Sequence, residues 1–159
     1  MKKAFVALAL ITVLLIPGVK PVAARTTGVV ASCDASLWSR VYNPKRLVVI
    51  SQCIEVTGVI AESDANVDGD QHFLLTLDPG QDRLLKKRNM KKKGGALVVE
   101  IVCANPPKPK KAKAACAGYV NHVTIPAVGA HVRVTGSFVL DTHNNWTEIH
   151  PVSRVEATR

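Results

Sequence analysis

Apolar and polar positions alternate with a period of two through five stretches of the chain, the pattern of strands that cover one face and leave the other to solvent. The strongest runs from Leu47 to Ile60, with Val48, Ile50, Ile54, Val56 and Ile60 on one parity and Ser51, Cys53, Glu55 and Thr57 on the other. Gly58 falls inside it, where a bend or bulge lets a long strand curl from one sheet edge to the other. After a polar turn, Asp64 to Gln71, the stretch His72 to Leu77 sets Phe73, Leu75 and Leu77 on a core face, and Asp78-Pro79-Gly80 follows with turn chemistry. A third strand is predicted at Ala96 to Cys103. A fourth is predicted at His131 to Leu140, where Val132 and Val134 oppose His131, Arg133 and Thr135. The fifth is Trp146 to Val155, in which Pro151 implies an edge position or a bulge. Asn105 to Lys113, rich in Pro and Lys, reads as an exposed loop, and no stretch of the mature chain reads as an amphipathic helix.

The N-terminus has a different character. Lys2 and Lys3 precede a nearly unbroken apolar run, Ala4 to Pro17, which is too short to span a membrane comfortably, and Val22-Ala23-Ala24 supplies the small residues of a leader cleavage site. Residues 1–24 are therefore predicted to be a signal peptide cut before Arg25. Residues 25–46 are then an N-terminal segment tied by a disulfide, and 47–159 the barrel domain, with basic loops at 83–95 and 104–124. The implied location is outside the cytoplasm, periplasmic or extracellular, with no transmembrane segment in the mature chain. A rival reading makes Val30-Ala31-Ser32-Cys33 a lipoprotein box, although Lys20 and Arg25 separate it from the apolar run. Four cysteines, Cys33, Cys53, Cys103 and Cys116, in an exported chain imply two disulfides. Of three pairings, the nearest-neighbour one, Cys33 with Cys53 and Cys103 with Cys116, closes each loop beside a predicted strand. No Cys-x-x-Cys spacing supports a zinc site.

Five strands, a long bent first strand and an extended connection between the third and fourth describe an all-β fold, a five-stranded, partly open barrel with long loops of the oligonucleotide/oligosaccharide-binding (OB) type. The stretches Asp68-Gly69-Asp70-Gln71-His72-Phe73, Leu97 to Cys103 and Trp146-Thr147-Glu148-Ile149-His150-Pro151-Val152 resemble the signatures of a family of exported bacterial proteins with an OB-like domain. The resemblance covers roughly Val48 to Val155. It implies that fold and an extracytoplasmic setting, and lends no activity.

Charge divides the chain unevenly. Between Arg83 and Lys113 there are eleven Lys or Arg residues and one acid, Glu100, whereas the rest of the mature chain has seven basic and eleven acidic residues. The ten cations Lys86, Lys87, Arg88, Lys91, Lys92, Lys93, Lys108, Lys110, Lys111 and Lys113 flank the third strand in two loops. If the loops converge, they form a surface for a polyanion such as nucleic acid, an anionic glycan or an envelope surface. Otherwise they are solvated charge. Base stacking is poorly provided for, since the mature chain has six aromatic residues and Phe73 belongs to the core. The acids Asp64, Asp68 and Asp70 at the first loop also repel phosphate.

Two further constellations carry chemistry. Asp64, Asn66, Asp68 and Asp70 match the first half of a calcium loop, but Leu75 stands where a bidentate Glu is needed, and an Asp-Gly hairpin turn explains the same residues. No other cofactor is implied. On the faces opposite the core, His72, Glu100, Glu148 and His150 are expected to meet on one outward face of strands two, three and five. There they would form either a polar site or cross-strand salt bridges on a wet sheet. No Gly-x-Ser-x-Gly, P-loop or His-Glu-x-x-His motif is present, so the sequence argues more against an enzyme than for one. The leading expectation is an exported, non-enzymatic OB-like binding module docking a polyanion through its lysine loops. The alternatives are a metal-dependent, nuclease-like hydrolase using the acidic and His/Glu positions, and a structural accessory domain for an envelope protein. The sequon Asn145-Trp146-Thr147 reads as incidental in a bacterial-looking chain.

Overall fold

The computed structural model describes residues 32–158. The expected signal peptide, 1–24, and residues 25–31 lie outside the described residues. Five strands form where alternation predicted them: β1 (Leu47–Ala65), β2 (Gln71–Leu77), β3 (Leu97–Ile101), β4 (His131–Asp141) and β5 (Trp146–Ala157). They pair in the cyclic order β1-β2-β3-β5-β4 and close on themselves as a barrel, where a partly open one was expected. All contacts are antiparallel except β3 with β5, which run parallel through Val98 with Glu148 and Val99 with Ile149. The alternating residues fill the centre: Val56, Ile60, Phe73, Leu75, Leu97, Val99, Val132, Val134 and Ile149 are all buried.

Closure depends on β1 serving two neighbours. Gly58 pairs with Leu77 of β2 on one side and Val132 of β4 on the other. A Cβ at this position would lie 2.1 Å from the Thr76 carbonyl oxygen, so only glycine lets the strands approach so closely. The first half of β1 departs from expectation. Val48 and Ile50, assigned to the core by parity, are 52% and 54% exposed. The register with β4 shifts between Val49 and Ser51 and again between Ser51 and Ile54, rotating the side chains, and this half of the strand pairs with β4 alone. Pro151 lies at a bulge in β5 after a cis His150–Pro151 bond, and is buried rather than at an edge.

The outer face is covered as well. A 3-10 turn at Ala35–Arg40 and another at Pro44–Arg46 carry Leu37 and Val41 onto Leu47, Val102, Cys103 and Val139. The Cys33–Cys53 disulfide ties this segment to β1, and Cys103–Cys116 closes the loop after β3, as the nearest-neighbour pairing predicts. The two basic loops each contain a short helix that the sequence reading did not foresee, α1 (Lys87–Lys92) and α2 (Lys110–Ala115). Ala112 of α2 is fully buried, so the Pro/Lys-rich stretch is partly anchored rather than wholly exposed. One buried amide holds α1. Asn89 Nδ2 donates to the Thr147 carbonyl (2.9 Å) and the Ala96 carbonyl (3.2 Å), while its Oδ1 accepts from the Thr147 N–H (3.0 Å), the Thr147 hydroxyl (3.0 Å) and the Lys86 N–H (3.1 Å).

Candidate functional site

β5 places Glu148 and His150 on one face, β3 adds Glu100, and in the β2–β3 ladder His72 lies directly opposite Glu100. The expected quartet therefore shares a face. The face is not outward and wet, however: Glu100, Glu148 and His150 are buried, and only His72 is half-exposed. The N-terminal layer is the reason, and it contributes Arg46 directly. Arg46 pairs with Asp141 at the end of β4, with Glu100 Oε2 (3.3 Å) and with Glu148 Oε1 (3.6 Å). His150 Nδ1 sits 2.9 Å from Glu100 Oε2 and 3.1 Å from Glu148 Oε1, and Trp146 Nε1–H donates to Glu148 Oε2 (2.8 Å). Asp70 completes the group from the β1–β2 turn. Its Oδ1 accepts the Cys103 N–H (2.9 Å), and its Oδ2 lies 3.8 Å from His150 Nε2.

Burial and mutual charge divide the protons of this cluster. Burial alone would lower the His150 pKa, but the charge and hydrogen bond of Glu100, with Glu148, outweigh it and raise it to about 10. Glu100 is the converse: burial works against its charge, yet His150 and Arg46 hold it at about 2. Burial pushes Glu148 up, and it lifts Asp70 to about 7 against the pull of His150 and the Cys103 N–H. Burial lowers the His72 pKa against the pull of Glu100, and Lys93 adds to the fall. The result is a preorganised, largely dehydrated polar core able to hold charge, a proton or a cation.

Above this core opens a cleft of about 440 Å³, lined by Tyr42, Asn43 and Arg46, by Asn66, Val67 and Asp68 of the β1–β2 turn, and by His72 and Glu100. Lys93, His143, Asn144 and Trp146 complete it. The Lys93 ammonium stands 4.4 Å from the Trp146 ring centroid, which takes Lys93 out of the open basic surface and into the cleft wall. A larger cavity, about 770 Å³, lies beside the Cys103–Cys116 bridge between Pro106, Pro107 and Tyr119, and its walls are mainly apolar.

The basic loops adjoin opposite ends of β3. α1 leads into the start of β3 and α2 follows its end, so about 13 Å of strand separates them. Lys86, Lys87, Arg88, Lys91 and Lys92 are exposed around α1, and Lys108, Lys110, Lys111 and Lys113 around α2. None of these forms an ion pair among the described residues. The calcium-type residues scatter too. Asp64 is exposed on β1, Asn66 is half-buried in the turn, where its N–H donates to the Asp70 carbonyl, Asp68 Oδ1 accepts the Asp70 N–H, and the Asp70 carboxylate turns inward. A hairpin turn with Gly69 at φ 97° accounts for the motif, and the acidic group gathered by the fold is Asp70, Glu100 and His150 instead. Asp70 shares the parity of His72, and Asp141 that of Val139, so extending the second predicted strand by two residues and the fourth by one would have found both. Arg46 stands outside any strand and left no such signal.

No family model matches the chain, and searches of curated proteins and of solved structures likewise give no match.

Proposed function

We propose that the protein is an exported, non-enzymatic OB-like binding module that docks a polyanion on the α1 face, beside the cleft. The cyclic strand order with its single parallel contact supports the OB-like reading. Two disulfides are compatible with an oxidising compartment. The observation that carries the docking surface is the set of five exposed cations on and next to one six-residue helix, Lys86, Lys87, Arg88, Lys91 and Lys92, none of them neutralised by an acid of the fold. On docking, such charges displace the counter-cations condensed on a polyanion, so binding gains from ion release and weakens with salt. Asn145, at the tip between β4 and β5, shares a shallow pocket with Lys87, Arg88 and Lys91, which makes the patch continuous with the cleft rim.

The test is the salt dependence of retention on heparin and on duplex DNA. The slope of log affinity against log salt is expected to reach several units, at about −0.9 per phosphate neutralised on duplex DNA. Changing the five α1-side cations to Gln should abolish most of it, while changing Lys108, Lys110, Lys111 and Lys113 should cost less. Absence of retention at low salt, or an α1 variant that binds as well as the wild type, would refute the reading.

A further inference from the structure

Beneath the cleft, four carboxylates, Asp70, Glu100, Asp141 and Glu148, surround one permanent cation, Arg46, and one imidazole, His150. Hydrogen bonds account for most of their atoms. Asp141 and Glu100 take the guanidinium, Glu148 takes the Trp146 indole N–H, and Asp70 Oδ1 takes the Cys103 N–H. One fully buried atom of the group is left over. His150 Nε2 is fully buried and has no hydrogen-bond partner, and it points at Asp70 Oδ2 across 3.8 Å. That gap is too long for a hydrogen bond. It is a few tenths of an ångström wider than the separation of about 3.3–3.6 Å between two tetrahedral ligands at about 2.0–2.2 Å from one ion, so a small closure brings both atoms onto a metal.

The other ring nitrogen is already committed. Nδ1 lies within hydrogen-bond distance of Glu100 and Glu148, so it donates its proton there, and Nε2 is the nitrogen that can give up its proton for a metal. A carboxylate that accepts from the far nitrogen is the usual support of a metal-bound histidine, fixing its tautomer and raising its basicity. Asp70, Glu100 and His150 each present a donor atom within 4.8 Å of the others. We propose that Asp70 and His150 Nε2, with Glu100 beside them, form a binding site for one divalent transition-metal ion of the zinc class.

The donor set decides the class. A buried imidazole nitrogen with carboxylate oxygens suits zinc and its neighbours, whereas calcium requires six to eight oxygens and magnesium an octahedron of them. The ion takes the place of the Nε2 proton, which leaves to solvent, and brings two positive charges where the proton brought one, among carboxylates that Arg46 alone does not balance. Glu100 lines the cleft floor and gives the ion its way in. The site lies under the outer layer and uses none of the α1-patch residues, so it stands or falls independently of polyanion docking.

The experiment uses the full mature chain, stripped with chelator and then titrated with Zn²⁺ and with Co²⁺. One ion per chain is expected, with visible d–d absorption from Co²⁺ and a rise in Tm of about 5–10 °C at a hundredfold excess of Zn²⁺ over Kd. Equal concentrations of Ca²⁺ or Mg²⁺ should not displace it. In ¹⁵N spectra the His150 Nε2 resonance should move on adding zinc while Nδ1 stays protonated, a readout that requires no variant. Asp70→Asn, nearly isosteric, should weaken Zn²⁺ at least a hundredfold, and Glu148→Gln, which removes no ligand but takes away a charge facing Nδ1 and Arg46, by about 10–100-fold. The proposal is overturned if the wild type takes up no Zn²⁺ or Co²⁺, or if zinc shifts only His72, His122, His131 or His143. A folded Asp70→Asn that binds as tightly as the wild type overturns it too.

Discussion

At the scale of single residues, the side chains that matter most are those whose polar atoms have been given a definite partner. Asp78, after β2, accepts from the Thr57 hydroxyl (2.5 Å) and faces His131 Nε2 at 2.9 and 3.0 Å, joining the β1–β2 region to β4. The hydrogen bonds from Thr57 and His131 hold its pKa below the ordinary value. A depressed carboxyl contributes stability that is present above its unfolded value, about 3.9, and is lost as pH falls through the lower folded one. Thermal melts of the wild type and of Asp78→Asn should therefore differ above about pH 4 and converge in stronger acid. A gap that persists unchanged at low pH would show that the carboxylate charge is not what matters. The same attention to partners explains what the sequence could and could not disclose about the site. Parity put His72, Glu100, Glu148 and His150 on one face correctly, because alternation reports direction. It could not report that Leu37, Val41 and Arg46 cover that face, because a covering layer from a non-repeating segment leaves no periodic trace in the strands beneath it.

Among the elements, the strands were legible and the helices were not. A strand needs only alternation, and β2, β4 and β5 begin within one residue of expectation. α1 and α2 span six residues each, too few for a helical stripe to show, and their Lys-rich composition looks the same in a loop. What fixes α1 is tertiary, the buried Asn89 amide in the groove between Ala96 and Thr147. Asn89→Ala would leave the buried Thr147 N–H without its acceptor and two carbonyls short of a donor. The expected loss is about 3 kcal/mol, read from the urea midpoint. Because the helix would detach, protease cleavage between Lys86 and Lys93 should accelerate more than cleavage elsewhere. Equal acceleration across the chain would mean that Asn89 supports the whole barrel rather than α1. The first half of β1 shows the opposite failure. Val48 and Ile50 alternate well, but two register shifts and the lack of a second pairing strand leave them at the surface.

For the molecule as a whole, stability comes from a barrel core and an outer layer fastened by cross-links. Cys33–Cys53 closes a loop of 20 residues around the segment that carries Arg46 over the polar cluster. Replacing both cysteines with Ala should cost about 3 kcal/mol on the chain-entropy estimate. It should also speed amide exchange at Trp38 and Val41 before it affects β3; uniform exchange would place the segment within the barrel's own cooperative unit. The parallel pairing of β3 with β5 has a consequence of another kind. Parallel neighbours cannot be joined by a hairpin, so the ring is completed only when the final strand reaches both β3 and β4. That strand also carries Thr147, Glu148 and His150, which anchor α1 and the buried charges. A chain emerging N-terminus first thus stays an open, unsealed sheet until β5 is delivered. Folding is in this way timed by the arrival of β5 rather than by the hydrophobic strands that appear first.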